Sequence, residues 1–135
     1  MCADSLLVDG YNMRCGEVPK IVNSRFKKKP ALVGMSGDYS AAFRALLYLE
    51  GKLGEKPAFA DGEDFELIIA QADMTSYVGK DLLPYPAPTP CAAGSGAPFA
   101  LTALSLGKTA REAVEIAIRM DCTSGGTIVE KSLED

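Results

Sequence analysis

The 135-residue sequence predicts a single layered α+β domain, and three observations lead there. Short β-rich runs punctuated by turn residues come first, two later stretches carry helical apolar spacing, and a last apolar run follows Gly125-Gly126. The resulting order is strands, helix, strands, two helices, strand. Antiparallel hairpins interrupted by helices fit an α+β layered domain better than alternating βαβ units.

ADSLLVD (3–9) reads as a strand running into an Asp9-Gly10 turn. GEVPKIV (16–22) and ALVGMS (31–36) read as two more, and the lysine-rich turn lies between them. Pro19 marks the earlier one as irregular or as an edge. Asp38-Tyr39-Ser40 opens a helix over 38–53, in which Ala42, Phe43, Leu46, Leu47, Leu49 and Leu53 form the apolar stripe and Gly54 stops the run. A polar loop follows, then FELIIAQA (65–72) as a buried strand, a turn from Asp73 to Ser76, and a partner strand over 77–83. PYPAPTP (84–90) is too rich in proline for a helix and reads as an extended connector. A helix over 98–106 is closed by Gly107. The next, over 109–121, starts with a capping box of Thr109 and Glu112 and turns Ala113, Val114, Ile116, Ala117 and Met120 inward. A strand over 127–133 ends the series.

Composition narrows the function. The net charge is −4, and the basic cluster Arg25, Lys27, Lys28 and Lys29 beside Pro30 has no interleaved aromatic residues. It reads as a solvated turn, so no nucleic-acid partner is expected. No apolar run reaches the roughly 18 residues of a membrane span. MCADSLLVDG has no basic n-region of a secretory signal, so no membrane association and a cytoplasmic location are expected. Cys2, Cys15, Cys91 and Cys122 show no CxxC spacing and read as reduced, mostly buried thiols rather than a disulfide frame or a zinc site. The chain has no histidine, which excludes Ser-His-Asp and Cys-His catalysis and any imidazole-dependent metal centre. No cofactor and no metal are expected.

Short motifs in a particular order then carry a resemblance. ADS at 3–5, GEVPKI at 16–21, ALVGMSGDYSAAF at 31–43, GSG at 94–96 and DCTSGG at 121–126 resemble the proteasome β-subunit and HslV family of N-terminal-nucleophile (Ntn) hydrolases. Each motif is short and weak alone. Their order, and the sixteen residues separating Asp4 from Lys20, make them specific together, and the resemblance spans Ala3 to about Leu133.

The resemblance implies a four-layer αββα sandwich, two antiparallel sheets between helical layers, with one helical layer reduced. The helix over 38–53 would lie on one side, and those over 98–106 and 109–121 on the other. It implies that Asp4 positions the nucleophile, that Lys20 is the catalytic lysine, and that Gly37 supplies the oxyanion-hole amide. Ser95, Asp121 and Ser124 would support them, all six converging on one cleft. An N-terminal threonine attacks in this family and its own α-amine takes the proton, so no imidazole is needed. The same sixteen-residue interval counted back from Asp4 falls before Met1, so the nucleophile and its strand are expected to lie outside this chain. Cys2, in the strand that follows, is expected to be a strand cysteine rather than a substitute nucleophile. Two functions remain open: a threonine-type peptidase that is inactive as this chain stands, and a non-catalytic scaffold or ring subunit that retains the fold only. Implied partners are further copies in a homo-oligomeric ring, a peptide or protein substrate, and an ATPase unfoldase.

Overall fold

The computed structural model describes residues 1–8 and 13–133. Its elements, in chain order, are β1 (Cys2–Ala3), β2 (Leu6–Val8), β3 (Arg14–Glu17), β4 (Ile21–Phe26), β5 (Lys29–Gly37), α1 (Tyr39–Leu49), β6 (Phe65–Ala70), β7 (Thr75–Val78), β8 (Pro84–Pro86), α2 (Ala97–Ser105), α3 (Ala110–Met120) and β9 (Val129–Glu130). β4 to β8 form a five-stranded sheet in sequence order, and β1 with β9 and β2 with β3 form two short ladders. Every strand pair is antiparallel.

The β4–β5 hairpin closes through Lys27 and Lys28, both at positive φ (50° and 66°), which gives a two-residue turn the twist its strands need. β6 buries alternate residues: Phe65, Leu67 and Ile69 lie in the core against α1, while Glu66, Ile68 and Ala70 face the other way and are half-buried. Val33 and Met35 of β5 and Ala41, Ala42, Ala45 and Leu46 of α1 belong to that core, with Phe26, Ala31, Val78 and Leu82 around them. Four alanines and leucines at helical spacing let the helix lie close on the sheet. α2 and α3 pack on each other, and α3 also packs on β1.

Several sequence boundaries shift, each for a local reason. The strand expected over 3–9 is broken at Asp4 and Ser5, because the amides of Ser5 and Leu6 both donate to the Gly125 carbonyl (3.1 Å each) and the chain bends round it. The Asp9-Gly10 turn lies outside the described residues. The strand expected over 16–22 divides around Val18–Lys20, as Pro19 foretold. The buried strand over 65–72 ends at Ala70 and is buried on one face only. Its partner starts earlier, at Thr75, and stops at Val78, after which Leu82 at φ 59° turns the chain. The proline connector contributes β8, an edge strand on β7, where missing amides cost no ladder bonds. The first helix ends at Leu49 rather than Leu53, and the last strand shrinks to Val129–Glu130. Phe43 and Met120, both expected to face inward, are exposed at 38% and 63%. Cys15 and Cys122 are exposed and Cys2 and Cys91 half-buried, so none of the four free thiols is a fully buried core residue.

Candidate active site

Between the inner face of the five-stranded sheet and the α2–α3 layer lies a cleft of about 840 Å³. Asp4, Lys20, Gly37, Ser95 and Ser124 line it, and Asp121 stands behind Ser95 and Ser124.

Lys20 leaves the Pro19 break pinned on both sides. Its carbonyl accepts from the Met35 amide (2.8 Å), and the Pro19 carbonyl accepts from the Tyr39 hydroxyl (3.1 Å). From there the Lys20 ammonium donates to Asp4 Oδ1 at 2.8 Å, and the two side chains are only 20% and 15% exposed. The other Asp4 oxygen accepts from the Gly125 amide at 2.9 Å. One carboxylate therefore ties the lysine to the 121–126 loop, across most of the chain. Shielding from water strengthens such a charge-assisted arrangement relative to a surface pair.

The second cluster is built on that loop. Asp121 Oδ2 accepts from the hydroxyls of Ser95 (2.6 Å) and Ser124 (2.7 Å). Burial alone would raise the Asp121 carboxyl, but the hydrogen bonds from Ser95, Ser124 and Thr123 more than offset it and hold it below the usual aspartate value. Gly96 makes this approach possible: a Cβ there would lie 3.1 Å from both Ser124 Oγ and Ala117 Cβ. The Asp4–Lys20 and Ser95–Asp121–Ser124 clusters meet where Ser124 precedes Gly125.

Gly37 lines the cleft at the end of β5. Its φ is 85°, and a Cβ would come within 2.8 Å of Phe65 Cα, closer still to the Asp64 carbonyl. The Asp38 amide then donates to Asp64 O (2.7 Å), and the Asp38 carboxylate caps α1 by accepting from the Ala41 amide (2.9 Å). Strand, turn and helix are thereby locked in one orientation.

Cys2 pairs with Glu130 in the β1–β9 ladder. Burial, and next the Glu130 charge, push its thiol up from the usual value, which disfavours the thiolate. It has the environment of a strand cysteine.

Three residues escaped the sequence reading. Thr123 bridges Ser95 (2.8 Å) and both Asp121 oxygens, and its only signal was a further hydroxyl inside DCTSGG. Glu17 accepts from the Ser5 hydroxyl (2.9 Å) and from the Thr127 amide, fastening the far end of the loop. Glu66 lines the cleft floor, and its signal was one acid in the apolar run FELIIA. Among the described residues, no three metal-ligating side chains gather, and no helix is long and apolar enough to cross a membrane.

Two layers of antiparallel strands, one covered by α1 and the other by α3 with α2 packed on it, define the class of fold: that of the solved HslV and proteasome-like Ntn structures. The particular likeness is to HslV from Trypanosoma brucei, with a TM-score of 0.73 and 20% identity over 95% of this chain and 88% of that one. BPH of Thiobacillus denitrificans in complex with epoxomicin matches with a TM-score of 0.65 and 21% identity, again over 95% and 88%. The sequence matches no family model and no curated protein.

Proposed function

We propose that this chain is a homologue of the HslV and proteasome-type threonine peptidases that carries the supporting half of their catalytic centre. The observation that bears most on this is the Lys20–Asp4–Gly125 linkage, which brings a shielded ammonium into the same cleft as Ser95 and Ser124. In that reading a nucleophile from outside residues 1–135 attacks a peptide carbonyl and forms an acyl ester. The C–N bond breaks as the proton given up by the nucleophile is delivered to the leaving amine, and water then hydrolyses the ester. The Lys20 ammonium favours the deprotonated nucleophile by Coulomb attraction. The Gly37 turn offers its amide to the developing oxyanion. Ser95, Asp121 and Ser124 fix the geometry around them. By the same resemblance the protein works as a ring of identical subunits on peptides or unfolded proteins, with an ATPase unfoldase as the partner that delivers them.

Two chains test it against fluorogenic peptides: residues 1–135, and a version extended at the N-terminus by a threonine-bearing strand. Each is made also as Lys20→Ala. The short chain is expected to turn over negligibly, because groups that assist a nucleophile do not replace it. The extended chain gains activity, and Lys20→Ala removes it. Turnover by the short chain that Cys2→Ala abolishes would overturn the assignment and make Cys2 the nucleophile. Inertness of the extended chain would favour a scaffold subunit instead.

A further inference from the structure

Among the described residues, four charged side chains line the cleft, and three of them are in ion pairs. Lys20 and Asp4 pair with each other, and Asp64 pairs with Lys80 at 2.9 Å. The fourth, Glu66, has no ion pair among the described residues. It sits on the cleft face of β6 opposite Ser36 of β5, whose hydroxyl donates to the Glu66 carbonyl (3.3 Å) and leaves the carboxylate untouched. Gly94 of the GSG loop rests over Ser36, since a Cβ there would lie 3.3 Å from Ser36 Cβ. Glu66 therefore lies on the floor beneath the loop that carries Ser95.

Further along the cleft the lining is largely apolar. Ile68 follows on the same face of β6, Ala100 and Leu104 of α2 and Val114 of α3 line the same cleft, and the Tyr77 hydroxyl is near enough to feel the Glu66 charge. Burial with no compensating cation raises the Glu66 carboxyl above its ordinary value. A half-buried anion in a cleft whose lining is otherwise largely aliphatic matches one kind of side chain: a long alkyl stem ending in a cation, which covers apolar surface along its length and brings its charge to the end.

We propose that Glu66 makes the cleft selective for peptides bearing lysine or arginine, its carboxylate pairing with the cation while the apolar walls hold the stem. The inference rests on the peptide-processing reading above, but it concerns recognition and not turnover, so binding alone tests it.

Three peptides that differ at one central position (lysine, norleucine or glutamate) are titrated against the 135-residue chain and its Glu66→Gln variant. In parallel, n-butylammonium is titrated while the carboxyl carbon of Glu66 is followed by NMR. Glutamine keeps the shape and removes a charge that burial opposes, so the variant retains the fold. The lysine peptide is expected to bind about tenfold more tightly than the norleucine peptide, as a charge-assisted pair in a shielded site gives, and Glu66→Gln to erase the difference. Equal affinity for the lysine and norleucine peptides, or a preference that survives Glu66→Gln, overturns the proposal and leaves peptide binding standing. If no peptide binds but n-butylammonium shifts the Glu66 resonance, the peptide reading falls while the cation site stands. If neither binds, both fall.

Discussion

The Lys20–Asp4 pair shows how one side chain can hold two functions together. Taking both charges partly out of water costs solvation, and the pair recovers it through short contacts and the Gly125 amide. Removing one partner strands the other, so any loss of activity in Lys20→Ala has to be read beside a folding measurement. The other carboxylates differ in sign. Asp121 has its folded value depressed, so its hydrogen bonds stabilise the protein above 3.8, the ordinary aspartate value, and that stability is lost as pH falls through the folded value. Glu66 has its value raised. Its contribution is complete below 4.5, the ordinary glutamate value, and is lost as pH rises through the folded value. Thermal midpoints followed against pH should therefore diverge. Asp121→Asn is expected to melt below the parent at neutral pH and to converge with it in strong acid. Glu66→Gln is expected to match the parent in acid and exceed it at neutral pH. The opposite pattern would mean that the loop bonds or the burial of Glu66 are misassigned.

At the scale of elements, the turn from β5 into α1 decides the most with the fewest atoms. Gly37 adopts a positive φ where β5 meets β6, and the next residue caps the helix. Gly37→Ala adds both backbone strain and a collision with main chain that cannot swing aside, and is expected to destabilise by about 2–4 kcal/mol, more than a glycine-to-alanine change in an open turn. Gly51→Ala is the control, since φ there is 76° but no atom lies within 4 Å of the added Cβ. Urea unfolding of the two variants checks this: equal losses would show that φ alone matters and that the Asp64–Phe65 approach does not. The sequence announced this turn through a polar helix cap after an apolar strand, and it announced the capping box at Thr109, which is present with both bonds. It did not announce which helical residues would be buried. Apolar spacing selects a face, but the packing partner decides how much of that face is covered, so Ala41 and Ala45 are buried while Phe43 and Met120 are not.

For the whole molecule, what was legible was order: five weak motifs in sequence, an interval of sixteen residues, and an alternation of hairpins and helices. These fix the layers, because each motif includes a turn or a break between elements. The cleft was not legible in the same way. FELIIA reads as a fully buried strand because five of its six residues are apolar, yet half of them face an open space. Only the separation of the sheet from α2 and α3 reveals that, and separation has no signature in local spacing. Likewise nothing near Asp4 in the sequence indicates that its second oxygen holds an amide at position 125.

That last link has a consequence in time. The β1–β9 ladder and the paired main-chain groups of Met1 and Lys131 join the two ends of the described chain, with a two-residue ladder as their anchor. The β4–β8 sheet, by contrast, is a meander of near neighbours. Closing a long loop costs more entropy than closing a hairpin, and a short ladder offers little in return, so the terminal pairing should form after the meander and open before it. In hydrogen exchange, the amide of Lys131 is expected to lose its proton well ahead of those of Val33 and Leu67; protection of equal strength would make the molecule one cooperative unit. If the ends do close last, the contact between Asp4 and Gly125 closes with them. The folding chain then acquires a ruler for its own completion: the aspartate that holds the lysine gains its second partner only when the final turn has come home.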